Sequence, residues 1–169
     1  WSFTTRAQNQ PPVVPYSESP YDGYGSMSLG SHVSISWNCS DPEADSLTYD
    51  VYFVVDPSPP LVASHLPHNY PGNRTYYFLS PFTGSTTYHW RIVAKDALGA
   101  ERPSPIWVST TTANSSPYPP SGPSPPDGST NRSVTSSLLW YNGDPDGQVC
   151  TYDVYFGTQN PPPLAQSNI

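Results

Sequence analysis

At 169 residues the chain has room for one large domain, or for about one and a half units of roughly 100 residues. Its 23 prolines and 11% charged residues could signal disorder, but a 14% aromatic content supplies the core that a disordered chain lacks. The net charge of −7 argues against nucleic acid and anionic membranes as partners, because both recruit basic patches.

No apolar run approaches the roughly 20 residues of a membrane helix, so no membrane insertion is expected. The sequence starts at Trp1 without a signal-peptide pattern. The expectation is a processed chain or a stretch of a longer one. Two cysteines at unmatched positions, Cys39 and Cys150, are too few for a disulfide framework. An intrachain bond between them is not expected, and one between neighbouring chains stays open.

In chain order, residues 1–5 (Trp-Ser-Phe-Thr-Thr) read as a final strand with Trp1 and Phe3 on one face. They resemble residues 107–111 (Trp-Val-Ser-Thr-Thr). A Pro-rich segment follows at 11–15, and then a Pro-x-Asp-Gly turn at 20–23. Proline lacks a backbone donor, so this stretch suits an edge strand or an extended linker. Alternation then marks strands. Val33, Ile35 and Trp37 share a face, as do Tyr49, Val51 and Phe53, with Asp50 and Tyr52 opposite. Tyr88, Trp90, Ile92 and Ala94 share another, with His89, Arg91 and Lys95 opposite. Shorter strands are expected around 61–64, 75–79 and 106–111. A second Pro-rich segment (117–120) and a second Pro-x-Asp-Gly turn (125–128) come next.

The stretch from Trp37 to Phe53 then returns, without a gap, from Trp140 to Phe156. The offset is 103 residues (140 − 37, 156 − 53), and Pro59-Pro60-Leu61 returns as Pro162-Pro163-Leu164. A gapless match of this length implies a duplicated structural unit. Several short strands with turns between them, and no helical period, predict an all-β antiparallel sandwich.

These residues carry a resemblance. The unit resembles a fibronectin type III or related immunoglobulin-like module. Trp37 and Trp140 match that family's second-strand Trp, and Tyr49-x-Val51-x-Phe53 and Tyr152-x-Val154-x-Phe156 match its third strand. Leu79-Ser-Pro81 with Thr87-Tyr88-x-Trp90-x-Ile92-x-Ala94 resembles its sixth strand, with Tyr88 at the tyrosine-corner position. The run Asp-Pro-x-x-x-x-x-Thr-Tyr-Asp-Val-Tyr-Phe is similar to a variant found in tandem in secreted and surface-anchored prokaryotic proteins. The resemblance implies a Greek-key β-sandwich in tandem, with an extracellular or cell-surface location. Its implied division is a final strand at 1–8, a complete sandwich at 9–113, and the first part of a second, incomplete sandwich at 114–169. Trp37, Tyr49, Val51, Tyr88, Trp90 and Ile92 are the expected core.

Candidate sites are few. Asp41, Glu43 and Asp45 alternate in one loop, and Asp144 and Asp146 repeat the pattern. Alternating carboxylates can ligate Ca²⁺, but the loop lacks the ligand count and distal Glu of a dedicated calcium loop, so a solvated turn is the preferred reading. His65 and His68 have no second ligand pair at zinc spacing. Tyr52, Tyr70 and Tyr155 could stack on sugars, although scattered surface tyrosines are common. Asn-x-Ser/Thr tripeptides at Asn38, Asn73, Asn114 and Asn131 mark glycosylation candidates. No nucleophile elbow, phosphate loop or zinc-hydrolase motif occurs, so no catalytic residue and no cofactor is expected.

The expected function is that of a structural subunit of an extracellular, glycosylated filament or surface layer, polymerised head to tail with copies of itself. The alternative is a spacer or carbohydrate-binding module of a larger secreted enzyme or adhesin. In the structural reading, Trp1 and Phe3 of one chain and the open face of Trp140, Tyr152, Val154 and Phe156 in the next are the assembly residues. Strands from a continuing or neighbouring chain complete the second module.

Overall fold

The structure is a computed structural model that describes residues 1–2, 8–30, 33–68, 74–79 and 82–169. Phe3, Tyr70, Asn73 and Pro81, and most of the strand expected at 1–5, lie outside the described residues. Among the described residues every regular element is a strand. The chain forms two units, Trp1–Asn114 and Ser115–Ile169.

Among its described residues the first unit holds nine strands: β1 (Tyr16–Ser19), β2 (Tyr24–Met27), β3 (Val33–Asn38), β4 (Leu47–Val54), β5 (Leu61–Pro67), β6 (Arg74–Leu79), β7 (Thr87–Asp96), β8 (Glu101–Pro103) and β9 (Trp107–Thr111). They make a three-stranded sheet in the order β1-β3-β6. A six-stranded sheet runs β2-β9-β7-β4-β5, with β8 paired to β7. Period-two alternation decides which side chains enter the core. Ile35 and Trp37 from one sheet meet Tyr49, Val51, Trp90, Ile92 and Trp107 from the other in a single buried cluster. The fold is therefore sandwich-like. Cross-strand pairing sets large beside small, with Tyr49 opposite Ala94 and Trp37 opposite Thr75.

Two features depart from the expected pattern. Tyr88, expected in the main core, packs instead in an adjoining cluster with Met27, Leu29 and Phe82. It lies near the end of β7 where the loop 82–86 arrives, and its hydroxyl accepts the Thr83 N–H at 2.9 Å. The Pro-rich segment 11–15, expected as an edge strand or a linker, holds no strand, and the stretch after it, where no strand was expected, holds two short ones in different sheets. Pro20 cannot donate to a ladder, so β1 stops at Ser19 and the chain turns at Asp22-Gly23 before crossing over. β2 then pairs parallel with β9, while every other pairing among the described strands is antiparallel.

The second unit holds β10 (Ser121–Ser124), β11 (Leu139–Tyr141), β12 (Val154–Tyr155) and β13 (Leu164–Gln166). They form two antiparallel pairs, β10-β11 and β12-β13.

Candidate assembly surface

The second unit reproduces the local geometry of the first, bond by bond. Trp37 meets Tyr49 edge-on at 5.4 Å and 77°, and Trp140 meets Tyr152 at 5.3 Å and 71°. Phe53 donates its N–H to the Pro60 carbonyl at 3.1 Å, and Phe156 to the Pro163 carbonyl at 3.0 Å. Tyr49 pairs with Leu66, and Tyr152 exchanges both backbone hydrogen bonds with Ile169. The register of β1 on β3 (Tyr16 with Asn38, Ser19 with Ser36) returns as β10 on β11 (Ser121 with Tyr141, Ser124 with Leu139). Ser17 has φ 51°, and its counterpart Gly122 has φ 57° with the Tyr141 ring so close that a Cβ would sit 2.7 Å from it. A left-handed residue under an aromatic ring is a place for glycine.

Burial separates the two units. Trp37, Tyr49 and Val51 are each 0% exposed. Their counterparts Trp140, Tyr152 and Val154 are only half-buried, and Phe156 is 65% exposed. No described residue of the second unit is fully buried. In the first unit Trp90, Ile92 and Ala94 of β7 and Tyr77 and Leu79 of β6 pack on this core. In the second unit a groove of about 300 Å³ is walled by Leu138, Leu139, Trp140, Tyr152 and Val154 and by prolines of the lead-in. Three of the six assembly residues named from the sequence, Trp140, Tyr152 and Val154, thus line one groove. Phe156 is exposed close by in sequence, and Trp1 is fully exposed at the start of the chain. Each uncovered large side chain forgoes roughly 1.5–3 kcal/mol of burial.

The acidic loops are turns built on their first carboxylate. Asp41 Oδ1 accepts the N–H groups of Glu43 (2.9 Å) and Asp45 (3.0 Å). Asp144 Oδ1 likewise accepts those of Asp146 (2.8 Å) and Gln148 (3.4 Å). The carboxylates of Asp41, Glu43 and Asp45 do converge, with ligand atoms within 4.8 Å of one another. Glu43, however, is already held by Gln10, whose Nε2 donates to Oε1 at 2.9 Å. Asp146 accepts the Ser115 N–H at 2.6 Å.

The histidines serve separate elements. His65 gives its backbone N–H to Asp50 Oδ1 at 3.0 Å, and His68 Nδ1 shares a hydrogen bond with the Tyr49 hydroxyl at 2.8 Å. Tyr49 is fully buried, and burial raises the pKa of its hydroxyl. Tyr52 lies under the Arg91 guanidinium at 4.6 Å, whereas Tyr155 is exposed. Both cysteines are free thiols. Cys39 is buried and donates to the Val13 carbonyl at 3.2 Å.

Of the four sequons, Asn114 and Asn131 are exposed. The backbone of Asn114 passes so close to Gly84 that a Cβ there would lie 2.7 Å from its nitrogen. Asn131 has φ 56°. Asn38 is half-buried at the end of β3, between Tyr16 of β1 and Arg74 of β6.

One group was not legible as a cluster in sequence. Lys95 Nζ lies 2.8 Å from Asp50 Oδ2 and 3.1 Å from Glu101 Oε1. Alternation had put Asp50 and Lys95 on outward faces, but only the β4–β7 register makes them diagonal neighbours.

No protein-family model matches the chain, and no curated protein matches it at a significant level.

Proposed function

We propose that the chain is a structural subunit of an extracellular, glycosylated filament or surface layer. Its units are fibronectin type III-like sandwiches in tandem, and the open second unit is completed by strands of the continuing or a neighbouring chain. The fibronectin-like reading is supported by two facing sheets, by the strand order and by the Tyr88 hydroxyl bonded to backbone five residues upstream. The tandem reading is supported by the bonds that recur at the 103-residue offset.

One observation carries the assembly. The same aromatic pair is sealed as Trp37–Tyr49 and left open as Trp140–Tyr152. An open apolar groove beside unpaired strand edges recruits strands. Contacts of this kind run head to tail, and they build fibres unless the rotation closes a ring. Residues 1–5 match β9 at Trp, Thr and Thr, and they are the segment of one chain best suited to enter the next. The test is deletion of residues 1–8, followed by sizing and electron microscopy of the assembled material. Loss of filaments is expected. Unchanged filaments, or a well-folded full-length monomer at micromolar concentration, would reject strand exchange.

A further inference from the structure

We infer that Asn142 is a site of self-modification: the Gly143 backbone nitrogen attacks its side-chain amide, and the ageing chain comes to carry aspartate and isoaspartate there. The inference concerns one loop and holds whether or not the chain builds filaments.

The loop sets electrophile and nucleophile side by side. Asn142 follows β11 directly, outside any strand, and its Oδ1 accepts the Gly143 N–H. The side chain is thus folded back over the next peptide nitrogen, in the pose that precedes closure of a five-membered ring. A nitrogen held against Oδ1 is also close to Cγ, and reacting atoms already placed together need little further ordering to react. Closure needs the backbone at Gly143 to turn as well. Glycine has no Cβ to oppose that rotation. The space is open too, because a Cβ built there meets no atom within 4 Å beyond its chain neighbours. Both residues are half-buried, so water reaches them.

No other position combines these features. Residues 142–143 are the one Asn-Gly pair in the sequence, and their counterparts in the first unit are Cys39 and Ser40 (142 − 103, 143 − 103). The Asp-Gly pairs at 22–23 and 146–147 could close the same ring, but their carboxylates are held elsewhere. Asp22 accepts the Val108 N–H at 2.8 Å, and Asp146 accepts the Ser115 N–H at 2.6 Å. A carboxylate is also a poorer electrophile than an amide.

The reaction balances with water alone. The Gly143 nitrogen loses its proton to solvent and bonds to Asn142 Cγ. The Cγ–Nδ2 bond breaks, and Nδ2 leaves as ammonia. The succinimide then takes up one water. Opening at Cγ leaves aspartate, and opening at the backbone carbonyl leaves isoaspartate, with one more methylene in the main chain. Either product sets a new carboxylate beside Asp144. Isoaspartate also shifts the Gly143 carbonyl, which accepts the Tyr118 N–H at 3.0 Å.

The experiment holds the full chain in mildly alkaline buffer, folded or in guanidinium chloride, and follows each asparagine by peptide mass spectrometry in water enriched in heavy oxygen. Residue 142 should convert at least about tenfold faster than any other asparagine, to isoaspartate and aspartate together. Its rate in the folded chain should lie within about fivefold of the rate in denaturant, because the loop already presents the reactive pose. Gly143→Ala should slow the conversion at least about tenfold, since the Cβ restricts the turn that closes the ring. A folded chain that converts more slowly than that range overturns the inference, because its loop would guard the amide. So does a Gly143→Ala chain that converts as fast as the parent. A product of aspartate alone marks direct hydrolysis and overturns it as well.

Discussion

The Asp50 carboxylate caps the backbone of His65: it accepts that residue's N–H at 3.0 Å, where His65 takes the left-handed φ of 54°. Asp153 does the same for Asn168, at 3.1 Å and φ 54°. In the first unit a carboxylate in the middle of β4 thus holds a left-handed residue on β5, and in the second the same bond joins Asp153, just ahead of β12, to Asn168, just past β13. β-Strands rarely tolerate this conformation away from glycine, and here the β4–β5 register shifts beside it.

The pH dependence of the first unit follows. Burial raises the Asp50 pKa, but the Lys95 ammonium and the His65 N–H outweigh it and hold the carboxyl below its ordinary range. Burial also opposes ionisation of Asp96, and the Asn9 amide at 2.8 Å with the N–H groups of Ala100 and Leu98 outweighs it. Groups depressed on folding stabilise above their unfolded pKa, about 3.9, and that contribution is lost as pH falls through the folded value. Urea midpoints should therefore hold level from pH 7 to about 5 and drop below about 4. Asp50→Asn should lower stability at pH 7 by about 1–3 kcal/mol and flatten the acid slope. An unchanged slope would place the titration elsewhere.

Trp37→Ala should destabilise the first unit by about 3–5 kcal/mol, as expected for a large aromatic removed from a sealed core. Trp140→Ala should cost under about 1 kcal/mol in the same chain, because its ring is already in partial contact with water. Denaturant titration of each variant measures both. Equal losses would contradict the difference in burial.

The acidic loops give a clean contrast. Asp41→Asn keeps an oxygen that can accept from Glu43 and Asp45 and should leave the melting point nearly unchanged. Asp41→Ala removes the acceptor and should cost about 1–2 kcal/mol. A large loss in the Asn variant, together with a melting point that millimolar Ca²⁺ raises in the parent but not in the variant, would favour the cation reading instead.

Thiol labelling should distinguish the two cysteines. Burial is the main cause that pushes the Cys39 thiol up to about 11, so little thiolate forms at pH 8. Cys150 is half-buried and should react first with a disulfide reagent. Cys39 should label only on unfolding. Rapid labelling of both in the native protein would contradict the placement of Cys39.

Peptide mass spectrometry of native material should find glycans on Asn73 and Asn114 first, then Asn131. Asn38 should be bare, because its strand position between Tyr16 and Arg74 denies a transferase the flexible, extended backbone it needs. Unmodified Asn73 and Asn114 at full coverage would weigh against the extracellular reading.

Strand alternation was legible in sequence because it is a local property. Trp37, Tyr49, Val51, Trp90 and Ile92 announced their shared side through period two, and all five are fully buried. What stayed hidden depends on register between distant strands. Tyr88 follows the same alternation as Trp90, yet it belongs to a second buried cluster with Met27, Leu29 and Phe82, which come from distant parts of the sequence. The Lys95–Asp50–Glu101 group needs three strands in register before it exists. The duplication revealed the groove of the second unit only indirectly, since burial is not written in any one residue. Asp41 and Asp144 looked alike as ligands or as turn formers, and only the bonds from Glu43, Asp45, Asp146 and Gln148 distinguish the uses.

The parallel pairing of β2 with β9 has a mechanical consequence. Gly23 donates to Val108 at 2.8 Å, Thr112 donates to Met27 at 3.0 Å, and Asp22 anchors the Val108 N–H at 2.8 Å. Two parallel strands, one near each end of the unit, are dragged past each other when the chain is pulled from both sides. Tension then loads all these bonds at once, in shear, and none can be unzipped ahead of the next. The lifetime of the unit under force is set by its unfolding rate, and this clamp acts on that rate directly. A thread strung from such units would resist stretching through its first and last strands, whatever the depth of its core.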